Sequence, residues 1–269
     1  MKRVFFSCMM VVVMLLFFNQ GDVNAAQEKT IFYQLTFQME NVTGQITLNG
    51  FIVTEITEKS GNGAVALNAW LIGDNELKAE VKKSDPSKPA QLVFGVSEIE
   101  RGGVVSTMDK GKLFSLELKD KDFNAGAITS TAKKFKSVFD FKQHLSEAGQ
   151  AKESDVLAYA QKIYALYEKK DADGILRESE VKINDFSKAF GMADMKTQFR
   201  KSLTEDLFKS KLNKLNPAAL RAVAVGPTKS IWHVFNGKDE LIKGKSPDKS
   251  TFEMAVYIGL LDGKLKVVR

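Results

Sequence analysis

The sequence predicts an α+β chain in two halves, an N-terminal β-sandwich followed by helices and an antiparallel meander. Three observations predict it. Apolar residues recur with period two from Lys29 to about Phe123, the period turns helical at Glu153, and strand patterns return after Asn216-Pro217. Strands and helices that segregate along the chain, without βαβ alternation, follow an α+β plan.

In the first half, Ile31, Tyr33, Leu35, Phe37 and Met39 alternate with mostly polar neighbours, as in a half-buried strand. Leu48-Asn49-Gly50-Phe51 reads as a hairpin, because Asn and Gly tolerate the positive φ angles of a type I′ turn. Gly61-Asn62-Gly63 is expected to turn the chain into a strand over 64–72, and Leu77, Ala79 and Val81 alternate after Gly73-Asp74-Asn75. Ser84 to Pro89 is a loop by composition, and further strands are expected over 91–99, 103–107 and 112–119. Seven or so short strands separated by turns give the sandwich, residues 26–123.

Residues 124–151 change character. Lys133, Lys134, Lys136 and Lys142 are interleaved with Phe135, Phe139 and Phe141. Basic residues mixed with aromatics can bind nucleic acid or anionic lipid. A linker whose phenylalanines dock while its lysines stay hydrated accounts for the same residues, and that is the expectation.

In the second half, Val156, Ala160, Ile163, Tyr164 and Tyr167 share a helical face, with Ser154 or Asp155 as N-cap. A second helix is expected over 176–190, stopped by Gly191, and a third carries Met192, Met195, Phe199, Leu203 and Leu207. Strands follow over 220–225, 230–235, 240–243, 251–261 and 264–268, the last two flanking the hairpin turn Asp262-Gly263.

The ends and composition bound the compartment. Lys2 and Arg3 precede an apolar run from Val4 to Phe18, and Val23-Asn24-Ala25 offers small residues for cleavage, so residues 1–25 read as a signal peptide. The apolar run is short against the roughly 20 residues of a spanning helix, so no stable membrane anchor is expected. Cleavage would remove two basic and one acidic residue, lowering the formal charge of +6 by one, together with the single cysteine, Cys8. A cysteine-free exported chain forms no disulfides, which favours a bacterial periplasm over a eukaryotic extracellular space.

Two resemblances follow from particular residues. Leu67-Asn68-Ala69-Trp70-Leu71-Ile72-Gly73-Asp74-Asn75-Glu76-Leu77 resembles the leucine, Gly-x-Asn-x-Leu and strand signature of sugar-binding-type β-sandwiches attached to glycoside hydrolases. The resemblance implies a turn and a strand, not a sugar contact; Trp70 could stack on a sugar, but a tryptophan inside an apolar run is more often core. The first helix, the break at Lys170-Asp171-Ala172-Asp173-Gly174, and the closing Met254-Ala255-Val256-Tyr257-Ile258 and Gly263-Lys264-Leu265-Lys266-Val267-Val268 strands resemble the cone-shaped family of ketosteroid isomerase, scytalone dehydratase and nuclear transport factor two. That likeness implies three helices packed on a curved antiparallel sheet over residues 152–269.

Candidate chemistry is sparse. Lys169 to Glu180 has an EF-hand outline, with Asp171 and Asp173 at loop positions 3 and 5, Gly174 at 6 and Glu180 at 12. Lys169 then occupies position 1, where an ammonium replaces an oxygen ligand, so no calcium site is expected. Gly61 to Ala66 matches a loose dinucleotide fingerprint but lacks the strand–turn–helix context. No Gly-x-Ser-x-Gly and no P-loop is present. His144 and His233 stand 89 residues apart, which gives no local zinc spacing.

Cone-shaped enzymes place an acid or base in an apolar pocket, and His233, Asp206, Glu253 and Tyr257 are the analogous positions here. Neither a catalytic residue, a metal nor a cofactor is assigned, and Trp70, His233 and Tyr257 are the candidate binding residues. The scattered lysines read as hydrated faces, not as a nucleic-acid surface. The expectation is therefore an exported, non-catalytic binding protein with a protein partner. Its concrete form is an immunity protein that neutralises an antibacterial type VI secretion toxin such as a lipase or cell-wall hydrolase. Two alternatives stay open: a small-molecule enzyme or carrier using the second half, and a cell-envelope glycan binder using Trp70.

Overall fold

A computed structural model describes residues 31–57, 60–100, 111–124 and 126–269. The segment expected as a signal peptide, Cys8 and the strand expected over 103–107 lie outside the described residues. The fold is α+β with antiparallel sheets, and the chain divides into two compact units at Phe141/Lys142.

Among the described residues the first unit carries eight strands: β1 (Ile31–Glu40), β2 (Val42–Leu48), β3 (Phe51–Ile56), β4 (Ser60–Ala66), β5 (Ile72–Lys83), β6 (Gln91–Glu100), β7 (Lys112–Leu118) and β8 (Thr129–Asp140). They form two four-stranded sheets, ordered β4-β1-β6-β7 and β3-β2-β5-β8. Tyr33, Leu35 and Phe94 of one sheet and Ile46, Leu48 and Leu77 of the other belong to the same buried cluster. The alternation read in β1 is realised, with Tyr33 and Leu35 buried and Ile31 and Phe37 packed against the cluster. Asn49 and Gly50 both take positive φ between β2 and β3, as the hairpin requires.

Two expectations for this unit are corrected. Residues 129–140, placed in a linker by their lysines, form β8, paired with β5 from Val81↔Thr129 to Ile72↔Asp140. Phe135 and Phe139 pack against the core while Lys134 and Lys136 stay exposed, so the aromatic–basic pattern is a strand's period of two. Gly61-Asn62-Gly63 does not turn the chain but lies within β4, opposite Met39, Gln38 and Phe37. A Cβ at Gly63 would sit 2.4 Å from Phe37 Cζ, so the glycine makes room for that ring.

Four buried asparagines join segments of this unit. Asn41, at the β1–β2 corner with φ 52°, donates to the Asp85 and Lys88 carbonyls and accepts from the Asp85 amide. Asn68 accepts from Tyr33 N and donates to Ile31 O. Asn49 donates to Asn75 Oδ1 and to Trp70 O, and accepts from Glu76 N. Asn75 accepts from Ile72 N and donates to Gly73 O and Ser137 Oγ. Buried polar groups must be paired, and here the pairing cross-links strands that carry no cysteine.

The second unit opens with α1 (Lys142–Leu145), followed by α2 (Glu153–Glu168), α3 (Ala172–Glu178), α4 (Glu180–Phe190) and α5 (Met195–Glu205). Its strands are β9 (Lys211–Leu212), β10 (Leu220–Val225), β11 (Ile231–Asn236), β12 (Asp239–Glu240), β13 (Ile242–Lys245), β14 (Thr251–Met254), β15 (Val256–Leu261) and β16 (Lys264–Val267). One sheet runs β10-β11-β15-β16 with β12 paired to β11, and a second runs β14-β13-β9. The expected stripe of α2 is buried, against Phe199 and Leu203 of α5 and Val234, Val256 and Ile258 of the sheet.

Element ends differ from expectation in three places. α2 begins after Lys152, so Ser154 and Asp155 lie in its first turn, where a carboxylate meets the positive helix end. The helix expected over 176–190 is broken at Ser179 into α3 and α4, and Gly191 closes α4 in the left-handed conformation. The strand expected over 251–261 is divided at Ala255 between the two sheets. Among the described residues no helix is long and apolar enough to cross a membrane.

Candidate functional site

The EF-hand outline resolves into local structure. Asp171 caps α3, its Oδ1 accepting from the Gly174 amide at 2.9 Å. Asp173 pairs with Arg200 of α5. Both aspartates therefore fasten helices. Among the described residues no group of three or more His, Asp or Glu is placed to hold a metal.

His233 and Tyr257 are neighbours across β11 and β15, their rings stacked 4.2 Å apart at 25°. The imidazole is buried and its Nε2 lies 2.8 Å from Glu240 Oε2 on β12. A carboxylate can only accept, so Nε2 carries the proton and the histidine locks β12 to β11. Trp70 is half-buried in the first unit, its ring 5.1 Å from that of Phe51. The Gly-x-Asn-x-Leu run places Asn75 in the buried network and leaves Gly73 at φ 78° beside a bulge in β5.

Two further buried groups organise the second unit. Glu178 accepts from Tyr159 Oη at 2.7 Å and Lys162 Nζ at 2.8 Å. Burial alone would raise its carboxyl, but these bonds outweigh burial and hold it below the usual range. Burial beside this carboxylate raises the Tyr159 hydroxyl. Asp185, 1% exposed, accepts from Arg269 at 2.6 Å and from His144 Nδ1 at 2.9 Å. Burial and the charge of Arg269 push Lys182, on the same helix, down to about 8.

An open cleft of about 540 Å³ lies at the C-terminal end of α5. Phe199, Leu203, Leu207, Phe252 and Met254 give it an apolar floor. Glu205, Asp206, Asp248, Glu253 and Lys209 supply its charges. α5 contributes one wall because Phe199 and Leu203 continue its buried stripe, and the chain then tightens into a 3-10 turn over Leu207–Lys209. The opposite wall is β14 with the turn that leads into it. In that turn Lys249 N donates to Ser246 O, while Asp248 accepts from the Ser250 amide and hydroxyl. The Ser250 hydroxyl and amide hold the Asp248 carboxyl below its ordinary range.

Asp206 and Glu253, both expected in an apolar setting, thus meet at this cleft; His233 and Tyr257 do not line it. Glu253 forms an ion pair with Lys243, which also reaches Asp239 at 2.7 Å. Burial would lower the Lys243 ammonium, but the two carboxylates outweigh it and hold its pKa above the usual lysine range. That lysine stays protonated at neutral pH and is no base. The cleft's floor and its remaining carboxylates can hold an apolar group and a positive charge. The sequence missed the 246–250 turn, whose only signal is Ser-Pro-Asp-Lys-Ser composition.

Compared with protein-family models, with curated proteins and with solved structures, the chain matches none.

Proposed function

We propose that this is an exported, non-catalytic binding protein of the periplasm, and that its partner is a protein. The most concrete form is an immunity protein that blocks an antibacterial toxin, such as a type VI secretion lipase or cell-wall hydrolase. One observation carries the reading: the strongly held ionisable groups are consumed in holding shape. Glu178 is tied to Lys162, Asp185 to Arg269, Glu240 to His233 and Glu253 to Lys243. Catalytic groups are typically poised by their surroundings and open to a substrate. A signal-like N-terminus and the lack of any cysteine after residue 25 support the compartment.

The finer architecture belongs to the same proposal. Two four-stranded antiparallel sheets that contribute to one core support a β-sandwich for the first unit. Helices α2 to α5 sharing a core with antiparallel strands support kinship with the cone-shaped family of ketosteroid isomerase and nuclear transport factor two. The weaker likeness to sugar-binding sandwiches supports no ligand, because Trp70 is half-buried, its ring against the buried Phe51 and packed on the core cluster.

The test is protection. Secreted hydrolases encoded beside this gene are directed to the periplasm of a sensitive host, with and without this chain. Growth restored only in its presence, with a stoichiometric complex on gel filtration, is the expected result. Unchanged killing by every such neighbour, together with no complex, overturns the reading. A second reading, a carrier for a small ligand, is favoured by the cleft, whose volume falls within the roughly 300–1,000 Å³ of small-molecule sites.

A further inference from the structure

The geometry points to a small amphiphilic organic cation, an ammonium or amidinium carried on an apolar body, as the ligand class of the cleft between α5 and β14. The inference rests on the carrier reading and adds to it the chemistry of the ligand.

The floor settles the body of the ligand. Phe199, Leu203 and Phe252 belong to the core of the unit, and Leu207 and Met254 extend the same surface outward into the opening. Apolar surface left in a concave, half-enclosed site gains from covering by an apolar group, about 25 cal/mol for each Å².

The rim settles its charge. Four carboxylates and one ammonium, Lys209, line the cleft. Glu253 is already neutralised by Lys243, and Glu205 has Lys201 at 3.9 Å with both side chains largely exposed. Among the described residues Asp206 and Asp248 have no ion pair, and the Ser250 bonds hold the Asp248 carboxyl below its ordinary range. The chain as a whole carries a formal +6, so its long-range field attracts anions. A preference for cations at this cleft therefore cannot arise from net charge and has to come from these local carboxylates.

The experiment titrates the chain from Ala26 onward with octylammonium, octanol and octyl sulfate by calorimetry, each well below its micelle concentration. Saturable binding is expected, with octylammonium about three- to tenfold tighter than octanol and octyl sulfate weakest, the size expected of partly exposed charge pairs. Asp206→Asn with Asp248→Asn should bring octylammonium down to the affinity of octanol. Ser202→Trp, at a half-exposed wall position, should weaken all three, with circular dichroism confirming the fold. Saturable binding blocked by Ser202→Trp but without cation preference overturns this inference and leaves the carrier reading standing. No saturable binding of any probe to the folded chain overturns both.

Discussion

Glu178 shows how one residue can make the second unit acid-sensitive. Its carboxylate is buried and depends on Tyr159 and Lys162, and its folded pKa lies below the ordinary glutamate value. A depressed carboxylate pKa contributes stability that is complete above the unfolded value and is lost as pH falls through the folded one. Glu178→Gln keeps the shape and removes the charge that Lys162 requires. We expect the variant to be less stable than the parent by about 1–3 kcal/mol at pH 7, the cost of breaking a charged buried hydrogen bond. The gap should narrow as pH falls from the ordinary glutamate range through the lower folded pKa, because the parent loses its own charge there. Urea midpoints at pH 7 and pH 3 measure it, and a gap that stays constant with pH would refute the assignment. The exposed Asp173 and Asp120, held low by Arg200 and Lys83, act in the same direction in both proteins and cancel in the comparison.

Elements depend on single positions in a way the sequence reveals unevenly. Asn49-Gly50 and Asp262-Gly263 were legible as turns because type I′ geometry demands those residues, and the α2 stripe because its spacing is long and regular. β8 was not legible as a strand, since Lys133, Lys134 and Lys136 dominate its composition and its inward face is only half-buried. The same limit applied to the site. Asp206 and Glu253 stood out as acids beside apolar residues, but which of them would meet depended on the break at Ala255 and the fold of the 246–250 turn. Gly44 tests the opposite case, a glycine that composition does not mark. It pairs with Val81 at φ 149°, and a Cβ there would lie 2.1 Å from the Glu80 carbonyl oxygen. Gly44→Ala must therefore push β2 off β5, at about 2–4 kcal/mol. Gly126→Ala, also at positive φ but with nothing within 4 Å of the added methyl, should cost only about 1 kcal/mol of backbone strain. Thermal denaturation of the two variants separates contact from strain, and equal losses would show that β2–β5 packing is not the reason for Gly44.

At the scale of the whole molecule, each unit has its own core, and the boundary between them is a physical question with a sharp answer. Composition put the start of the second unit near residue 152, after a basic linker. The structure puts it at Lys142, because residues 142–150 are bonded into that unit. His144 donates to Asp185, which is 1% exposed; Gly149 bridges to Leu260 on β15, its amide 2.8 Å from the Leu260 carbonyl; and Thr228 donates to Ser146 O. A chain of residues 142–269 should consequently fold alone, since roughly 100 residues suffice to bury a core of this kind. A chain of residues 152–269 keeps every residue of the main helix–sheet cluster except the half-buried Ala151, yet leaves Asp185 short of one partner and β15 short of one bond. We expect it to unfold cooperatively as well, at a stability lower by at least about 2–4 kcal/mol, the cost of the lost buried charged bond and bridge before the buried Leu145 is counted. His144→Ala in the longer chain should reproduce part of that difference and leave the rest to the Gly149 bridge, the Thr228–Ser146 bond and the buried Leu145. Equal urea midpoints for the two chains would return residues 142–150 to the role of a tether, and a 142–269 chain without any cooperative transition would mean that its core does not stand by itself.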